Sequence, residues 1–215
     1  MEEMQQFNSE NQPDKHRPIL TKWMKILFIL QTVSIVFSLS SMLSVTFVLS
    51  TIAQVASVCF TAGLMYVLYR LSAANGYYRK AFTALIVQLI GSVAIFLLTG
   101  IAANTGLALL TSLVSLVVSV SALVATYHQY QGHRWVTWSA GDRKLSGRWN
   151  SLFIWQIVIG LVVGLISTAV TMISAYSGEG FEQTMSIFLI LVEIPSLVLQ
   201  AIYLWYLYRT WSLFR

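Results

Sequence analysis

Residues 26–69, ILFILQTVSIVFSLSSMLSVTFVLSTIAQVASVCFTAGLMYVLY, contain no Asp, Glu, Lys or Arg across the 44 positions between Lys25 and Arg70. As one helix this stretch would be about 66 Å long at ~1.5 Å per residue, whereas a bilayer's hydrocarbon core is roughly 30 Å thick. It must fold back and cross twice. The same arithmetic applies to residues 81–133, 53 positions free of those four residue types. Beyond Arg148, the polar turn Ser177-Gly178-Glu179-Gly180 divides a third apolar region in two. The expected fold is therefore an all-α integral membrane protein with six transmembrane helices, at 22–42, 46–70, 81–99, 106–128, 150–174 and 184–208. These form one domain, 19–215, behind a polar, disordered tail at 1–18.

Composition points the same way. Apolar residues make up 57% of the chain and charged residues 10%, against roughly a quarter charged in a soluble domain. The net charge of +5 comes from basic residues in four short segments: Lys15 to Lys25, Arg70 to Lys80, Arg134 to Arg148, and Arg209 to Arg215. Basic residues that flank apolar runs report topology and contact with anionic headgroups. The expected partner is therefore the lipid bilayer, and nucleic acid is not expected. With an even number of spans and basic residues at one set of helix ends, both termini are expected in the cytoplasm of a plasma-membrane protein. The single Cys59 excludes an intrachain disulfide.

The odd-numbered helices share a phrase: Leu27-Phe28-Ile29-Leu30-Gln31, Ala84-Leu85-Ile86-Val87-Gln88 and Leu152-Phe153-Ile154-Trp155-Gln156. The even-numbered helices share Tyr66-x-x-Tyr69, Tyr127-x-x-Tyr130 and Tyr203-x-x-Tyr206. Together these phrases suggest three copies of one α-hairpin. Counted from the basic residues, Gln31, Gln88 and Gln156 lie about 10 to 14 Å into their helices and Gln200 about 12 Å into its own. Amides at one depth either line a cavity for a polar solute or clamp helices together. Glu193 is the acidic residue placed well inside a span, and Pro195 follows two positions later. An intramembrane carboxyl should face the interior, where Gln54 lies at a similar depth and offers it a hydrogen bond. Gly160-x-x-x-Gly164 is a close-packing pattern, expected to pack inside the bundle.

Catalytic chemistry is sparse. His16, His128 and His133 are the histidines, and they show no zinc spacing; neither a Walker loop, a G-x-S-x-G elbow nor a G-x-G-x-x-G is present. No metal or cofactor is expected. The stretch from His128 to Trp149 reads as a solvated connector on the membrane surface. No segment resembles a known family closely enough to carry a function. The leading expectation is a protein that binds or transports a small polar solute, alone or as a subunit of a larger membrane assembly. Its expected site residues are Glu193, Gln200, Gln31, Gln88, Gln156 and Gln54. The alternative is a non-transporting scaffold or regulatory partner of another membrane protein. A third, weaker reading is a lipid-acting enzyme using His128, His133 and Asp142.

Overall fold

The computed structural model describes residues 13–43, 47–101, 105–174 and 179–215. Among these residues the chain forms six helices and no strand: α1 Pro13–Leu43, α2 Phe47–Leu71, α3 Gly76–Ile101, α4 Thr105–Ser139, α5 Arg143–Ser174 and α6 Glu179–Ser212. Helices are what such apolar runs must form, because lipid offers no partner to an open backbone N–H or C=O. Stretches long and apolar enough to cross a membrane occur in four of them: His16–Phe37, Gly76–Leu98, Leu109–Ser139 and Arg143–Val170. The chain is a membrane-embedded, multi-pass helical protein.

Each helix packs against the next in sequence, and α6 closes back onto α1. A thinner contact joins α4 to α6 across the bundle. α3 and α4 come close at Gly91, where an added Cβ would collide with the side chain of Val118.

The helices outrun the expected spans. α1 begins at Pro13 and continues through Pro18, which removes one backbone N–H from the helix ladder. α4 has 35 residues, about 52 Å at ~1.5 Å per residue. This corrects the surface connector expected from His128 to Trp149. α4 remains helical to Ser139, and α5 resumes at Arg143 after a three-residue turn. Gly141 makes that turn with φ +89°, a conformation costly for residues bearing a Cβ. Asp142 caps α5, its Oδ1 accepting from the Leu145 N–H at 2.9 Å. Asn75 caps α3 in the same way through the Tyr77 N–H, also at 2.9 Å.

Burial is uneven along the bundle. The tightly packed core lies at the end that carries the basic residues, and includes Leu20, Met24, Leu27, Leu68, Tyr78, Trp149 and Leu207. Toward the other end large apolar side chains face outward, with Phe96, Leu109 and Leu165 each at least 70% exposed. The contrast follows from the solvent. Where water reaches the helix ends, the hydrophobic effect drives close burial; within lipid that driving force between helices vanishes. Cations decorate the same end, with Arg70 over Trp23 at 5.2 Å and Lys25 over Trp211 at 5.9 Å.

A second correction concerns α5. Gly160 and Gly164 are exposed, and an added Cβ at either would meet nothing within 4 Å. The stripe is therefore not packed against another helix among the described residues. The buried apolar positions of α5 are Leu145, Trp149, Leu152, Val163 and Val170.

Candidate functional site

On α4 the residues Thr126, Gln129, Tyr130, His133 and Thr137 recur at three- and four-residue spacing and so share one helix face. That face turns inward: Tyr130, His133 and Thr137 are buried. On α6 the stripe Gln200, Tyr203, Leu207 and Thr210 meets it, and on α5 Trp149, Leu152 and Gln156 do so. Tyr78, near the start of α3, completes the group. Its ring lies against Gly132, where a Cβ would come within 2.7 Å of Tyr78 Cε1. Glycine at 132 is what lets the ring lie against α4.

These stripes build a hydrogen-bonded cluster around His133, which is fully buried. Gln129 Nε2 donates to the Tyr203 hydroxyl at 2.8 Å. That hydroxyl lies 3.4 Å from His133 Nε2, and the Tyr78 hydroxyl lies 2.8 Å from His133 Nδ1. Tyr78 in turn donates to Met24 Sδ at 3.9 Å. A single proton order satisfies all four contacts: Tyr203 gives its proton to Nε2, and Nδ1–H donates to Tyr78. The tautomer is thus assigned from the network. Trp149 covers the imidazole with ring centroids 4.6 Å apart, and its Nε1–H donates to Thr210 Oγ1 at 3.2 Å. Tyr130 donates to Gln156 Oε1.

Adjoining this cluster is a cavity of about 290 Å³. α1 contributes Gln31, Ser34 and Ile35, and α4 contributes Thr126, Gln129 and Tyr130. Gln156 comes from α5, and Leu199, Gln200 and Tyr203 come from α6. Tyr130 and Tyr203 therefore belong to both cluster and cavity. No charged side chain is among these lining residues.

Three of the residues expected from sequence, Gln31, Gln156 and Gln200, line this cavity. Gln88 is not among its lining residues; it lies half-buried on α3. The side chains of Gln54 and Glu193 lie outside the described residues, although α6 runs on through Pro195. The three tyrosine pairs have unlike surroundings. Tyr66, Tyr69 and Tyr127 are exposed, whereas Tyr130 and Tyr203 are buried.

His133 was expected as a solvated connector residue; it is instead the centre of the cluster, buried because α4 continues past 128 as a helix. The signal was present in the helical spacing of Tyr130, His133 and Thr137. Gln129 escapes the sequence reading too, since it occupies a variable position of the Tyr127-x-x-Tyr130 phrase. The trio proposed for catalysis does not assemble. Asp142 caps α5, and His128, five residues before His133, stacks on Tyr77 instead, with centroids 6.2 Å apart. Among the described residues no three His, Cys, Asp or Glu side chains are placed to hold a metal ion.

Neither a protein-family model, a curated protein nor a solved structure matches this chain.

Proposed function

We propose that the protein binds a small polar solute in the cavity between α1, α4, α5 and α6 and passes it across the membrane. The supporting observation is that Gln31, Gln156 and Gln200, from three helices far apart in sequence, line one cavity. Polar side chains inside a membrane bundle are costly unless they pair or face water. In this reading both termini are cytoplasmic and the His133 cluster closes the cytoplasmic side, since the basic residues gather at that end. The lipid bilayer is the surrounding partner. Glu193, seven residues before Gln200 on α6, falls on the same helix face by spacing and belongs to the proposed path.

The scaffold reading also has an observation behind it. Gln129 and Gln156 hydrogen-bond across helices to Tyr203 and Tyr130, as clamps do. Solvent access separates the two. With Cys59 replaced by Ser, a Gln200→Cys side chain should react with a small, water-soluble thiol reagent applied to sealed vesicles. It should react much faster than Val198→Cys, an exposed outward-facing position. Equal, slow reaction at both positions would mean a closed interior and favour the scaffold.

A further inference from the structure

We infer that the cavity selects an uncharged solute rich in hydroxyl or amide groups, of about the size of a six-carbon polyol. This rests on the solute-binding reading above and names the class of solute. The four lining amides divide into two pairs. Gln129 and Gln156 are held by Tyr203 and Tyr130. Gln31 and Gln200 take no side-chain hydrogen bond among the described residues, and both line the cavity.

Each free amide offers two N–H donors and a carbonyl acceptor, and Ser34 adds a hydroxyl that does both. The complementary ligand therefore carries donors and acceptors together, as hydroxyls and carboxamides do. An ion would lose its hydration without meeting a countercharge, since none of the lining residues is charged. The volume of about 290 Å³ is that of about ten waters at ~30 Å³ each, room enough for a six-carbon polyol.

The test uses the full chain in sealed proteoliposomes and probes that share one polyol backbone: sorbitol and gluconamide, which are neutral, gluconate, an anion, and N-methylglucamine, a cation. Sorbitol or gluconamide should enter faster than into protein-free vesicles. Gln31→Leu and Gln200→Leu should each slow that entry roughly three- to tenfold, the effect of losing one hydrogen bond to the solute. Gln31→Asn, which keeps an amide, controls for folding and should retain part of the flux. Entry of gluconate or N-methylglucamine alone, slowed by the same substitutions, would overturn neutrality while leaving the cavity reading intact. Loss of N-methylglucamine entry in Glu193→Gln would identify a cation path instead. Absence of any polyol flux also overturns the inference, and the reactivity of Gln200→Cys then decides whether the cavity reading falls with it.

Discussion

The His133 cluster and the cavity beside it share Tyr130 and Tyr203, yet they use polar groups in opposite ways. Around His133 the donors and acceptors follow one another from Gln129 through Tyr203 and the imidazole to Tyr78 and Met24. Across the cavity, Gln31 and Gln200 have no side-chain partner among the described residues. A buried network that is fully satisfied fixes a structure, whereas unspent groups facing a cavity are available to something else. The difference gives a physical basis for assigning stability to one region and recognition to its neighbour.

Substitutions should separate the two regions by size of effect. Trp149→Ala should be the most damaging, at about 3–5 kcal/mol for a fully buried aromatic, because the ring packs on His133, Tyr130, Tyr203 and Tyr206 at once. Thermal unfolding of the detergent-solubilised protein measures it; a change of a few tenths would mean that the cluster is not the structural centre. Gly132→Ala comes next, at about 1–3 kcal/mol for overpacking, since the new methyl would displace Tyr78 from His133. Pairing it with Tyr78→Ala should relieve part of that cost, and a purely additive double variant would argue against the contact. Tyr203→Phe should cost about 1 kcal/mol by removing the oxygen that joins Gln129 to His133.

The six helices were legible because charge-free runs set against bilayer thickness leave few ways to fold. The depth count brought Gln31, Gln156 and Gln200 forward, and the three meet at one cavity. Gln88 shares their depth and phrase but not their place. Depth along a helix says nothing about which way a side chain faces once neighbours choose the buried face. The same ambiguity hid the exposure of Gly160 and Gly164, whose spacing suits a helix–helix seam but against which no neighbour packs among the described residues. His133 was hidden for a different reason. A segment with four basic residues and Gly132 resembles a connector, and only contact with α3, α5 and α6 makes its first part a buried helix end.

Gly160→Ala tests that exposed stripe, where helix propensity alone should act. Alanine is better than glycine in a helix by up to ~1 kcal/mol, and no neighbour stands within 4 Å to oppose it. A small gain in melting temperature is expected, and a loss would place an unseen partner against this stripe.

The smallest stability change is the most informative about the boundary between cluster and cavity. Gln31→Leu removes an amide that holds no side-chain partner, so unfolding should shift by less than about 0.5 kcal/mol. Gln129→Leu removes an amide of the same size that donates to Tyr203 at 2.8 Å, and should cost about 1 kcal/mol. The two glutamines line one cavity and differ in whether a neighbour uses them. Equal losses would mean that Gln31 is a clamp after all, and the boundary drawn between cluster and cavity would disappear. Unequal losses, with Gln31→Leu near zero, would leave that amide serving something other than the fold.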